Sequence, residues 1–177
     1  MSFTKKQTIL LICAAVTVVA VVVPLVVISF VKYRIGMRTN NFLGNMSMPR
    51  GYRNNNPLNI RKGSSNWLGK IKPGDDPDFE QFQNMGYGYR AALKLIRNYI
   101  GAGHNTIEKI ISRWAPANEN NTSSYIANVS TRTGIAATEV IRRDDRDRLI
   151  AIAYAMSISE NGSAPNRSDI EAGWDML

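Results

Sequence analysis

The hydrophobic pattern divides the chain into an uncharged apolar stretch near the N-terminus and a longer part in which apolar residues recur at helical spacing. Residues 8–30 contain no charged side chain. At a rise of about 1.5 Å per residue a helix over them is about 35 Å long, enough to cross a bilayer. The sequence therefore predicts one transmembrane helix at about 8–30, within a membrane anchor at 1–34. A cleavable signal peptide is the rival interpretation, but its apolar region is shorter, about 7–15 residues, and ends in small residues.

The rest of the chain is predicted to be mainly α-helical. Residues 35–48 are rich in Gly, Asn and Ser and predict a linker, which leaves one domain over 49–177. Apolar residues three and four positions apart predict helices at 85–100, 106–116, 122–133 and 144–159, and a short last helix from 168. An alternating segment at 79–82, within the turn-rich stretch 67–82, predicts a minor hairpin. The predicted fold class is thus mainly α, of the α+β type, with a small β element.

The most unusual polar pattern lies at 50–67, which reads RGYRNNNPLNIRKGSSNW. It is too polar for a buried strand and too rich in Asn, Gly and Pro for a helix. Side-chain amides bond the hydroxyl and acetamido groups of sugars, and aromatic faces stack on sugar rings, so the stretch has the chemistry of a glycan site. The alternative is a structural loop whose amides bond its own backbone.

This stretch resembles the signature of a family of phage virion-associated proteins with a lysozyme-like, peptidoglycan-cleaving domain. The matching residues are Arg50, Gly51, Arg53 to Pro57 and Asn59 to Arg61, then Trp67, Gly69, Phe79, Phe82, Gly88, Arg113 to Pro116, Glu119 to Thr122, Tyr125, Thr133, Gly134 and Glu160 to Gly162. The resemblance covers roughly residues 49–165 and implies a lysozyme-like fold, a virion protein and a glycan substrate. One departure is Leu58, where the family usually has a Gly that would permit positive φ or close substrate approach.

Composition restricts the chemistry that the chain can perform. One cysteine, Cys13, and one histidine, His104, exclude an intrachain disulfide and a Cys- or His-cluster metal site. We therefore expect no metal and no cofactor, and any catalysis must use carboxylates. The net charge of +8 is partly concentrated in residues 1–34, which contain no acid. The modest remaining excess suits peptidoglycan or lipid headgroups and is weaker than a dedicated nucleic-acid binder carries.

Three glutamates are candidates for the catalytic acid. Glu160 comes first because it ends an apolar helix, where the helix dipole and partial burial both raise the pKa of a carboxyl group. Its position resembles the end of the catalytic helix in lytic transglycosylases, although here it follows the Asn-rich segment; an exposed helix-end Glu is the alternative. Glu119 could be the acid or could cap the helix that follows it. Glu80 lies where a second carboxylate of a lysozyme site would lie.

The resemblance and the side-chain chemistry together predict a site and a function. The expected substrate-binding residues are Asn54, Asn55, Asn56, Asn59, Arg61, Trp67 and Tyr125. We expect a membrane-anchored glycosidase of the lytic transglycosylase or muramidase type, in the virion membrane or alternatively in the host inner membrane, that opens the cell wall during phage genome entry. Its expected partners are glycan strands, the lipid bilayer and other virion proteins.

Two other functions fit the same sequence. The first is a non-catalytic structural membrane protein of the virion, whose lysozyme-like domain is a scaffold or a glycan-binding module. The second is a membrane-tethered contact to nucleic acid, which would require a continuous basic face. The most charged segment, residues 142–148 with the sequence RRDDRDR, nearly balances its charges and does not favour that face.

Overall fold

The computed structural model describes residues 18–36, 38–116 and 121–177, and these fold mainly as helices. The first helix starts as a π-helical turn, Val18–Val22, and continues as α1, Val23–Gly36. The others are α2 (Arg50–Arg53), α3 (Met85–Gly101), α4 (Ile107–Trp114), α5 (Thr122–Thr133), α6 (Arg146–Asn161) and α7 (Arg167–Asp175). The last five agree closely with the ranges that the apolar spacing predicts.

Polar side chains and left-handed glycines fix the ends of these helices. A side chain at the N-cap accepts a hydrogen bond from the first turn of each helix from α3 to α7; these caps are Asn84, Thr106, Asn121, Asp145 and Asn166. Gly134 and Gly162 follow α5 and α6 with φ of 70° and 71°, a conformation that other residues adopt at a cost. The exact end of α6 matters because Glu160 lies in its last turn.

The hydrophobic core is formed mainly by α3, α4 and α6. Leu93 and Ile96 of α3, Ile110 of α4, and Leu149 and Met156 of α6 are all fully buried. Burial of one such side chain contributes about 1.5–3 kcal/mol. α5 packs between α4 and α6, and α7 packs on α3. This arrangement holds the C-terminal end of α6 beside α5 and the Asn-rich loop.

The predicted small β element is not a strand in the structure. Residues 67–82 contain one isolated antiparallel bridge, between Lys70 and Phe82, and a second bridge joins Phe79 to Arg61 outside this range. The described residues contain no longer ladder than these. The α+β fold class is therefore wrong: turns at Pro73 and Gly74 and side-chain bonds from neighbouring residues, rather than a hairpin, hold this segment in place.

The predicted transmembrane helix is also not found. Of the residues that the structure describes, none belong to a helix long and apolar enough to cross a membrane. The apolar run predicted at 8–30 enters the described part only from residue 18, and it is interrupted there by the change from π to α geometry. Residues 8–17 lie outside the described part of the chain.

Part of the predicted linker is bonded to the domain. The backbone N–H and the side-chain amide of Asn40 both donate to the Asp169 carboxylate, at 3.0 and 2.9 Å. The Phe42 ring stacks on Tyr52 with centroids 6.0 Å apart. Burial raises the pKa of Asp169. These contacts fix residues 40–42 on the surface formed by α2 and α7.

Candidate functional site

The Asn-rich loop begins with the single turn of α2 and then reverses direction through two asparagines. Asn55 and Asn59 have φ of 49° and 51°. Asn is among the few residues that adopt this left-handed conformation readily, which explains part of the Asn content of the motif. Leu58 lies between them with a fully buried side chain and no positive φ. The Leu in place of Gly therefore adds to the core and does not project into solvent.

Asn54, Asn55 and Asn56 support the loop from within. All three are buried, with exposed fractions of 3%, 0% and 0%. Asn54 Nδ2 donates to Asp76 Oδ2 at 2.7 Å, and Asn55 Nδ2 donates to the carbonyl of Phe82 at 3.0 Å. The Asn56 amide both donates to and accepts from backbone groups of the neighbouring segments. Their amides are thus used by the protein itself, which differs from the expectation that they face a glycan.

Arg50 strengthens the same loop from outside. Its guanidinium bonds Asp76 at 2.7 Å and Asp78 at 2.8 Å, and it lies 4.5 Å from the centroid of the Phe79 ring. The bond from Arg50 holds the pKa of Asp76 well below its usual range. The ion pairs tie α2 to the turn at residues 76–79, so that the loop between them has little freedom.

Glu160 is the point where the predicted site residues meet. Asn59 Nδ2 donates to Glu160 Oε2 at 2.9 Å across 101 positions of sequence. The Tyr125 hydroxyl donates to the other oxygen, Oε1, also at 2.9 Å. The Trp114 side chain gives a third hydrogen bond to this carboxyl group. The acid is therefore held by the Asn-rich loop, α4 and α5 together.

Burial raises the pKa of Glu160, and the bonds from Asn59, Tyr125 and Trp114 oppose that rise only in part. The carboxyl group also lies in the last turn of α6, where the negative end of the helix dipole disfavours a carboxylate. Its side chain remains partly accessible to solvent. A partly buried carboxyl group with a raised pKa can hold a proton at higher pH than an ordinary Glu and give it to a bound molecule.

Glu80 has a different environment. Its side chain is 1% exposed, and its Oε1 accepts from Lys70 Nζ at 2.7 Å and from the Gly63 backbone N–H at 3.1 Å. Lys70 also donates to the carbonyls of Gly63 and Ser65. The pair thus fastens the exposed loop 61–66 to the turn before α3. Glu119 lies outside the residues that the structure describes.

The remaining predicted residues lie on or near that exposed loop. Arg61 follows Asn59 by two positions, is exposed, and has its guanidinium 5.8 Å from the centroid of the Phe79 ring. Trp67 is half-buried and packs against the core. Within the described residues no group of three His, Cys, Asp or Glu side chains could hold a metal ion.

Two residues of the site were missed by sequence reasoning. Trp114 is not among the expected site residues, yet its side chain reaches Glu160. Asn161 is not among them either, yet its Nδ2 donates to the carbonyl of Pro57 at 2.7 Å and joins α6 to the loop. Both belong to the segments that resemble the phage family, and that overlap was the available signal.

The comparisons with known proteins concern the whole chain. No family model matches it. Protein P5 of Pseudoalteromonas phage PM2 is 40% identical to it over 131 residues, which cover 71% of this chain and 80% of that protein. At this identity and coverage the relation is one of family, and the chain belongs to the family of phage protein P5.

Proposed function

We propose that this protein cleaves the glycan strand of peptidoglycan with Glu160 as the general acid. One observation carries the proposal: a partly buried carboxyl group with a raised pKa receives hydrogen bonds on both oxygens, from Asn59 and from Tyr125. The resemblance of the Asn-rich motif to phage wall-cleaving proteins supports the choice of substrate.

In this mechanism Glu160 gives its proton to the glycosidic oxygen as the bond to the sugar ring breaks. The departing proton leaves a carboxylate, and the donors on Asn59, Tyr125 and Trp114 stabilise that charge as it forms. The Tyr125 and Trp114 donors already face the carboxyl group, so their part of this stabilisation requires no rearrangement.

Among the described residues Glu160 is the one candidate acid left at this site, and this favours the lytic transglycosylase type over paired-carboxylate hydrolysis. Glu80, the candidate second carboxylate, is buried against Lys70 and holds a loop. A transglycosylase needs no second carboxylate, because a hydroxyl of the substrate attacks the sugar carbon in place of water and gives its proton to the Glu160 carboxylate, which restores the acid. The expected product is therefore an anhydro-sugar end, whereas a hydrolase would leave a reducing end.

The exposed loop beside the acid suits an anionic wall polymer. Arg61 and Lys62 of this loop are exposed, with Lys62 Nζ bonded to the Gly74 carbonyl at 3.1 Å, and the chain as a whole carries a net charge of +8. Because the chain belongs to a phage protein family, we place this activity in the virion, where local cleavage of the wall would assist entry of the genome.

The test uses the purified full chain on isolated peptidoglycan, with the products identified by mass spectrometry. Glu160→Gln keeps the shape of the side chain and removes the acid, so cleavage should fall by about 100- to 10,000-fold. Glu108→Gln, which removes the same charge from an exposed position of α4, is the matched control and should cleave normally. A folded protein that binds the wall and leaves it intact would refute the enzyme and favour a glycan-binding module; undiminished cleavage by Glu160→Gln would exclude this acid.

A further inference from the structure

Two buried amide oxygens beside the acid have no hydrogen-bond partner among the described residues. They are Oδ1 of Asn59 and Oδ1 of Asn161. Buried polar atoms in folded proteins are nearly always bonded, because an unpaired acceptor loses its bonds to water and gains nothing in return. Two such atoms next to the Glu160 carboxyl group need a common explanation.

The two oxygens converge on the same small space above Gly51. Both lie within 3.0 Å of the point that a Cβ atom on Gly51 would occupy. Gly51 leaves that point empty of side chain, and a larger residue would separate the two amides. Two acceptors that face each other in this way repel weakly and would bond if one of them were replaced by a donor.

The two amides differ in what fixes their orientation. Asn161 Nδ2 donates to the carbonyls of Pro57 and Ser157, at 2.7 and 2.9 Å, and these carbonyls accept in every protonation state. Within the described part of the chain, Asn59 Nδ2 donates to Glu160 Oε2 alone. The orientation of Asn161 is therefore fixed, whereas that of Asn59 follows the charge of one titratable group.

We propose that the Asn59 amide reverses when Glu160 is protonated, and that Asn161 Oδ1 is the acceptor that stabilises the reversed orientation. With Glu160 ionised, Asn59 donates to the carboxylate. With Glu160 protonated, the acid donates its proton to Asn59 Oδ1, and Asn59 Nδ2 turns toward Gly51 and donates to Asn161 Oδ1. Reversal satisfies both orphaned oxygens and requires only rotation about χ2, since the two ends of an amide have nearly the same size.

Three side chains of the described residues bond the Glu160 carboxyl group and affect its pKa, and none of the three is charged. The Asn59 amide faces it from the loop, the Trp114 indole from α4 and the Tyr125 hydroxyl from α5. The Trp114 indole can only donate. The Tyr125 hydroxyl could accept from the acid only by directing its own proton to another acceptor, and the Met156 carbonyl, which lies within its reach, is 3.5 Å away, a long hydrogen bond. Asn59 is thus the partner that exchanges a donor for an acceptor with the better geometry.

Asn161 is accordingly a positioning residue that acts on Glu160 through Asn59. The pair stabilises the neutral acid before proton transfer and the carboxylate after it. This inference concerns the protonation of Glu160 and stands whether or not the chain cleaves glycan, so its failure and that of the proposed function are distinguishable.

The direct test is NMR of the full chain with ¹⁵N-labelled asparagine. As the pH falls through the titration of Glu160, the Asn59 side-chain amide protons should lose their cross-peaks to the Glu160 Hγ protons and gain cross-peaks to the Gly51 Hα protons. In Glu160→Gln the donor on Tyr125 selects the side-chain oxygen of residue 160, which leaves the NH₂ group facing Asn59, so the Asn59 amide should face Gly51 at every pH. Cross-peaks to residue 160 that persist at low pH, or in Glu160→Gln, would overturn the proposal.

A second variant tests the role of Asn161. Asn161→Leu keeps the side-chain size and removes the acceptor, so the pKa of Glu160, followed by its carboxyl ¹³C shift, should fall relative to the wild type. Tyr125→Phe removes a donor to the carboxylate and should move the same pKa upward, which calibrates the measurement. An unchanged pKa in a folded Asn161→Leu variant would refute the positioning role, and the NMR of the wild type decides the matter if that variant does not fold.

Discussion

Glu80 forms a buried ion pair with Lys70, whereas Glu160 is the proposed general acid. This difference leads to a quantitative prediction for Glu80→Gln. Glu80 is 1% exposed and its partner Lys70 is 11% exposed, with Nζ and Oε1 2.7 Å apart. Removing one partner of a buried ion pair costs about 3–5 kcal/mol, because the other charge is left without compensation. Gln retains a neutral acceptor for Lys70, so we expect the lower end of that range, about 3 kcal/mol.

A double-mutant cycle isolates the pair. Lys70→Met alone should also destabilise the protein, by leaving the buried Glu80 carboxylate unpaired. The double variant carries neither charge, so its loss of stability should be smaller than the sum of the two single losses by about 1–3 kcal/mol. Urea denaturation of the full chain, followed by tryptophan fluorescence, measures all four corners of the cycle.

The same variants separate the two roles of a glutamate. Under conditions where Glu80→Gln remains folded, its cleavage of peptidoglycan per folded molecule should stay within a few-fold of the wild type. A loss of stability below about 1 kcal/mol would contradict the reasoning on buried pairs. Normal stability together with lost cleavage would also refute the structural role of Glu80, because it would make Glu80 a second catalytic carboxylate.

Further predictions concern the loop and the acid. Gly51→Ala places a methyl group against the oxygens of Asn59 and Asn161 and should destabilise the protein by about 1–3 kcal/mol in urea denaturation; a stabilised variant would refute the close approach. Leu58→Ala removes a fully buried side chain and should cost about 2–5 kcal/mol in the same assay, whereas a neutral effect would mean that Leu58 is not in the core. Burial raises the pKa of Glu160 above its ordinary value of 4.5, so the folded state binds this proton more tightly than the unfolded state does. The stability that the bound proton contributes is lost as the pH rises above 4.5. Glu160→Gln should therefore equal the wild type in stability at pH 4 and exceed it at pH 8. An advantage that appears only at low pH would reverse the sign of the argument.

The helices, and the place of Glu160 at the end of one of them, could be predicted from the sequence because each depends on local information. Apolar residues at helical spacing and a capping Thr106 defined α4, and the apolar run before Glu160 indicated its place at the end of a helix. Asn59 and Tyr125 were expected at the site and lie against Glu160. An amide and a phenol hydroxyl both donate hydrogen bonds to a carboxyl group, in a loop as well as on a helix.

The direction of an asparagine side chain could not be predicted, because it depends on groups far away in sequence. Asn54, Asn55 and Asn56 have the same side chain as Asn59, and all four suit either a sugar or a backbone. The Asn55 amide faces inward because the carbonyl of Phe82, 27 positions later, needs a donor. The partner of Glu80 is likewise a lysine brought near by two isolated bridges rather than by a strand.

The apolar N-terminal stretch failed as a prediction for a related reason. Hydropathy and length alone decide whether a sequence resembles a membrane span, and residues 8–30 satisfy both. The described helix joins a π turn to an α segment that also includes Arg34. The change of helix type within the run is a feature of backbone geometry that hydropathy and length do not report.

The four asparagines of the motif divide into three that build the loop and one that meets the acid, and this division explains why a rigid loop is needed at all. Asn59 has to hold a left-handed backbone, reach Glu160 and remain able to turn over, so its position must be fixed while its amide is not. Asn54, Asn55 and Asn56 fix that position by bonding to Asp76, Phe82 and the neighbouring backbone. Replacing one of these three should therefore act on the acid indirectly, by loosening the loop, whereas replacing Asn59 changes the partner of the acid itself.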